Sequence, residues 1–151
     1  MKNALNLAIL LPLAAAACGG DAPPAEGGMP GAESAMTSNA MVTIVEPTDG
    51  AMTMGSSVVV RLEVSGVEIV PAGEMAGGTG HHHLYLDADL TPPDEPVPTV
   101  PGSIIHMGDA SAEYTFEGVA PGEHRLIAVV ADGAHFPLQP WVVDTVTFMV
   151  H

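Results

Sequence analysis

From residue 41 onward, apolar side chains recur at every second position, the spacing of strands whose two faces meet different surroundings. Residues 42–45 are a β-branched run halted at Glu46-Pro47 and followed by the turn residues Thr48-Asp49-Gly50. In 57–64, Val58, Val60, Leu62 and Val64 share one face, and Arg61 and Glu63 the other. Residues 67–80 are irregular and glycine-rich. A third strand is expected over 82–88, closed by the proline-rich, acidic stretch 89–101, and a short apolar fourth over 103–107. Residues 113–116 alternate and end in Gly118, Pro121 and Gly122. A strong strand over 123–131 runs into Asp132-Gly133, and 141–150 is the last. Proline or glycine interrupts nearly every window long enough for a helix, and no stretch keeps a helical period. Short strands set off by turns predict an all-β fold, an immunoglobulin-like antiparallel β-sandwich of about seven strands. In that arrangement the first, second and fifth strands, with or without the fourth, form one sheet, and the third, sixth and seventh the other. Leu84, Leu86, Leu126 and Trp141 are the candidate core residues.

The beginning of the chain is built differently. Lys2 precedes a run, residues 5–17, that is apolar apart from Asn6 and Pro12. A membrane-spanning helix needs about 20 apolar residues, so this run is short for one and matches the core of an export signal. It ends in Ala15-Ala16-Ala17-Cys18-Gly19. That ending resembles a bacterial lipobox, with Ala15 where leucine is usual. Residues 1–17 are therefore expected to be a lipoprotein signal peptide, with Cys18 carrying lipid and anchoring the mature chain to a membrane. Cys18 is the only cysteine, so no intrachain disulfide can form, and lipid on its sulfur caps a thiol that an oxidising compartment would attack. Glycine, proline, alanine and serine dominate the following residues, which places a flexible tether over 18–40 and the sandwich domain over 41–151. Gly19 rather than Asp after the cysteine resembles the outer-membrane default, with the domain facing the periplasm or the cell surface.

Charge removes one class of partner. Eighteen acidic residues stand against three Lys and Arg, a net charge of −15. Without the signal only Arg61 and Arg125 remain, too few cations for phosphate-backbone binding, so nucleic acid is excluded. The acidic surface is repelled by anionic lipid, which leaves membrane attachment to the anchor. The serines lack the setting of an activated nucleophile, and no catalytic motif is present, so the chain is not read as an enzyme.

The seven histidines carry the chemistry. His81-His82-His83 open the third strand, His106 closes the fourth and His135 follows the sixth. An antiparallel sandwich of this order puts those three points at one pole, with His124 and His151 at the other. Alternation gives His81 and His83 one face and His82 the opposite one. The expected metal set is His81, His83, His106 and His135, for copper or zinc, since imidazole is a borderline donor that suits both. Met107 is a candidate soft ligand beside His106. Histidines also order loops and cap strand ends, and that reading stays open here.

These residues also carry a resemblance. Gly80-His81-His82-His83-Leu84-Tyr85-Leu86-Asp87 is similar to a Gly-His-His-His-Leu-x-x-Asp signature of the bacterial envelope family DUF4399. His106-Met107-Gly108-Asp109-Ala110-Ser111-Ala112-Glu113 resembles its His-x-Gly-x-Gly-x-x-Glu stretch, with Ala110 in place of the second glycine. Pro121-Gly122-Glu123-His124-Arg125-Leu126 resembles its Pro-Gly-x-His-x-Leu element, and Asp132-Gly133-Ala134-His135 its Asp-x-x-His element. The family usually has a further histidine soon afterwards; Phe136-Pro137-Leu138-Gln139 supplies none. The resemblance covers roughly residues 42–150 and implies a secreted β-sandwich without implying an activity.

Two functions from different classes follow. One is an exported lipoprotein whose histidine-rich pole binds copper or zinc in the cell envelope. The other is a non-catalytic immunoglobulin-like structural or interaction module, with an unknown protein partner and loop-ordering histidines. Stoichiometric binding of Cu²⁺ or Zn²⁺ separates them.

Overall fold

The computed structural model describes residues 39–151. The expected signal segment 1–17, Cys18 and the part of the expected tether up to residue 38 lie outside the described residues. Nine strands and no helix make up the described chain: β1 (Met41–Glu46), β2 (Ala51–Thr53), β3 (Val58–Ser65), β4 (Glu68–Ile69), β5 (Thr79–Leu86), β6 (Ile104–Met107), β7 (Glu113–Phe116), β8 (Gly122–Ala131) and β9 (Val143–Val150). They form two sheets, β1-β3-β7 and β2-β9-β8-β5-β4, with β6 also paired to β5. The protein is an all-β, immunoglobulin-like sandwich.

Three details differ from the sequence expectation or settle what it left open. The 103–107 strand, β6, joins β5 and not the β1-β3-β7 sheet, pairing His82 with Met107, His83 with His106, Leu84 with Ile105 and Tyr85 with Ile104. Two short strands lie along edges: β2 runs parallel to β9 and β4 parallel to β5. Spans of three and two residues are too short for a period to register. Trp141 is 37% exposed and not a core residue, because β9 starts only at Val143 and Trp141 occupies the turn before it.

The alternation along each strand sorts side chains onto two apolar clusters. Val42, Ile44, Val58, Val60, Leu62, Leu84, Leu86, Leu126, Ala128, Val130 and Phe148 belong to the core between the sheets. Tyr85, Ile104, Ile127, Val129 and Ala131 belong to a second cluster on the outer face of the larger sheet, completed by Val97 from the proline-rich segment after β5. That segment folds back over the sheet. Tyr85 Oη and Thr91 Oγ1 are 2.9 Å apart, the Val97 N–H donates to the His135 carbonyl at 2.8 Å, and Arg125 holds Asp89 at 2.6 Å. Strand β5 is therefore buried on both faces along its whole length. A strand so covered presents polar side chains to either face only if they find partners, which makes its three histidines the anomaly of the fold.

Candidate metal centre

Successive β5 residues point to opposite faces, so His81, His83 and Tyr85 share the outer face, and His82, Leu84 and Leu86 face the core. His83 stands directly across from His106 on β6, and His81 across from Ala131, the last residue of β8. The chain then turns back and delivers His135 to the same place. Asp132 shapes that turn: its Oδ1 accepts from the N–H groups of Ala134 and Phe136, each at 2.9 Å, and its carbonyl accepts from the His135 N–H at 2.9 Å. His135 has φ 72°, a left-handed conformation that costs a non-glycine residue about 1 kcal/mol or more and recurs at functional sites.

The four rings meet. Centroids lie 4.8 Å apart for His81–His83 and His106–His135, 4.9 Å for His81 with His106 or His135, 5.1 Å for His83–His106 and 5.6 Å for His83–His135. One ligand nitrogen from each ring can be chosen so that all lie within 4.8 Å of one another. The Nε2 atoms of His81 and His83 are 3.0 Å apart. A tetrahedral ion bonded at about 2.0–2.1 Å to each nitrogen separates its donors by about 3.3 Å. One pair is thus already slightly closer than that, and the remaining donors, all within 4.8 Å, have to draw in to close the set.

Burial favours the neutral form of three of these rings, His81, His83 and His106. His81 and His83 are fully buried. Loss of hydration, then repulsion from His106 and His135, pushes the His81 pKa down to about 4 against a small opposing pull from Asp132. Loss of hydration, then the neighbouring rings His81, His106 and His135, pushes that of His83 down to about 3. His106 is lowered by burial and then by His135. Neutral imidazole is the form with a free lone pair, the form that ligates. His81 Nδ1, His83 Nδ1 and His106 Nε2 are buried without a hydrogen-bond partner among the described residues. Each such atom costs about 1–3 kcal/mol.

Two glycines give the rings and turns their space. A Cβ built on Gly108 lies 2.5 Å from His106 Cε1, so any side chain there displaces the ring. A Cβ on Gly133 collides with the Glu74 carbonyl oxygen, so the turn that carries His135 packs on the 71–76 loop only as glycine. The Ala72 N–H donates to the Gly108 carbonyl at 3.0 Å, which ties the same loop to the end of β6.

Met107 does not join the four rings. It follows His106 on a strand and so faces the other way, into the core between the sheets, where it is 4% exposed. His124 and His151 also stand apart. The register pairs Gly122 with Val150, so both lie near the start of β8, while the cluster lies at its end. Seven residues of strand separate His124 from Ala131, about 23 Å. His124 has structural partners, Asp87 and the Ala120 carbonyl. The sequence reading missed the roles of Asp132, Gly108 and Gly133. Asp132-Gly133 was visible as a turn, and its bonds to residues 134–136 are local, but which rings the turn delivers His135 to depends on the fold.

Known proteins add a family and no activity. The family model described as "Domain of unknown function (DUF4399)" matches residues 60–151. No curated protein sequence matches the chain. Among solved structures, the chain is similar to the fibronectin(III)-like modules of CbhA from Clostridium thermocellum, with 15% identity, a TM-score of 0.45, 73% of this chain and 95% of that one covered. It is also similar to part of an engineered protein, with 14% identity, a TM-score of 0.40, 74% of this chain and 20% of that one.

Proposed function

We propose that this chain, which belongs to the DUF4399 family, is a metal-binding protein of the cell envelope that holds one Cu²⁺ or Zn²⁺ through His81, His83, His106 and His135. The observation that carries the proposal is the convergence of four imidazoles from β5, β6 and the turn after β8 at a spot where their nitrogens have few other partners. A donor set of imidazole nitrogens, without thiolate or thioether, suits borderline divalent ions. When bound, the ion takes up lone pairs that are otherwise buried and unused. The chain's own contribution is positioning: β5 and β6 fix three rings by strand register, and Asp132 fixes the fourth by its turn. The reading is capture or storage of the ion. Cys18 is proposed to carry the lipid that holds the domain at the membrane.

Calorimetric titration of the tag-free chain tests the reading. One equivalent of Zn²⁺ or Cu²⁺ is expected, lost on His106→Ala. Absence of binding by either ion would make the cluster a structural element and favour the interaction module.

A further inference from the structure

His82 and Met107 occupy the reverse side of the same two strands. They are register partners, His82 on β5 and Met107 on β6, and both face the core. His82 is 1% exposed. Its Nδ1 lies 3.0 Å from the Ser111 carbonyl oxygen, an atom that can only accept, so Nδ1 carries the proton and donates. Nε2 is then a bare lone pair, and it is buried with no hydrogen-bond partner among the described residues. A histidine whose second nitrogen donates to a backbone carbonyl has the tautomer and fixed orientation of a metal ligand. Its neighbour across the ladder is a thioether, a soft donor and a poor hydrogen-bond acceptor.

We propose that His82 Nε2 and Met107 Sδ form a second metal site, selective for a soft monovalent cation such as Cu⁺ or Ag⁺. One imidazole and one thioether are too few and too soft for Zn²⁺, whose sites use about four nitrogen, oxygen or thiolate donors. They suit a d¹⁰ monovalent ion, which accepts low coordination numbers and brings less charge into an apolar core. An approach to Met107 exists. A cavity of about 340 Å³ is lined by Met107 and Ser111, together with His106 and Tyr114, and the Asp109 carboxylate at the same cavity attracts cations, while that of Glu113 is paired with Arg61. This site goes beyond the four-histidine reading and does not depend on it, because alternation directs His82 and Met107 away from His81, His83 and His106.

The test uses the full chain with Cys18→Ser, so that no thiol competes, and with ¹³C-methyl methionine and ¹⁵N histidine. Zn²⁺ is added first to fill the four-histidine cluster, and Ag⁺ is then titrated in chloride-free buffer. The expected result is that the Met107 methyl and His82 ring resonances shift together and saturate at one equivalent of Ag⁺. Met107→Leu, which nearly conserves volume, should keep the fold and weaken this event at least tenfold. The proposal is overturned if those two resonances stay put while Ag⁺ perturbs only exposed methionines such as Met52 and Met54, or if Met107→Leu binds Ag⁺ unchanged. Should Zn²⁺ fail to bind, the Met107 and His82 signals still report the second site, so the two readings fail separately.

Discussion

The Asp87 Oδ2 lies 2.6 Å from His124 Nδ1, while the carbonyl of Ala120 lies 2.8 Å from Nε2 of the same ring. Both ring nitrogens therefore face acceptors, and both are satisfied only when each carries a proton. The pair works as a clamp: Asp87 Oδ1 also accepts from the Arg125 N–H at 2.9 Å, which locks the end of β5 onto β8. Burial opposes the charge, but the Asp87 hydrogen bond and the Ala120 carbonyl outweigh it and raise the His124 pKa.

His124 should therefore stabilise the fold in its charged form. Its folded pKa is raised, so the contribution is fully present below the unfolded value of about 6.5 and is lost as pH rises through the folded value. His124→Gln should lower stability by about 1 kcal/mol at pH 6, a figure kept small because Asp87 is half exposed. The difference should shrink by pH 9. Equal losses at both pH values in urea titrations would refute the charged form.

The cluster at the other pole should act with the opposite sign. The folded pKa values of His81 and His83 are depressed, to about 4 and about 3, so their contribution is present above about 6.5 and is lost as pH falls toward those values. Thermal midpoints of the metal-free chain should fall steadily from pH 7 to pH 4. Zn²⁺ should offset the fall at pH 6 and progressively less below it, as protons displace the ion.

Metal should raise stability at neutral pH. An ion at one hundred times its dissociation constant adds about 2.7 kcal/mol, which for a domain of this size moves the melting midpoint by on the order of 10 °C. The shift should largely vanish in His135→Ala and persist in His124→Gln. Differential scanning calorimetry with and without Zn²⁺ distinguishes ligand from bystander, and an unchanged shift in His135→Ala would remove that residue from the set.

Gly108→Ala tests the packing argument. The new methyl group has to displace the His106 ring, at about 1–3 kcal/mol of overpacking. Zn²⁺ affinity should drop at least tenfold while the chain stays folded. Full affinity in this variant would show that the ring has room the geometry denies it.

Cys18 is expected at the mature N-terminus with lipid on its sulfur. Mass spectrometry of the native protein checks this, and an unmodified start at any other residue would sink it.

Period-two alternation is local information, and the sequence alone determined what depends on it. The main strands, the sandwich class and the split of His81 and His83 from His82 were all legible, because neighbouring residues on a strand must face opposite sides. The same rule turns Met107 away from His106, into the core. Strand order also placed the four histidines at one pole. The strand partner of β6 was not legible, nor was the burial of the outer face of β5. Both depend on the 87–103 segment closing over the sheet, and that closure is set by contacts between distant residues such as Asp89–Arg125 and Val97–His135. Nor could the chain by itself show that Gly108 makes room for a ring, or that Asp87 reaches His124 from 37 residues away. A side chain's face is set by its immediate neighbours along the backbone. What it meets there is set by loop closure and packing of the whole chain, and only the tertiary structure decides that.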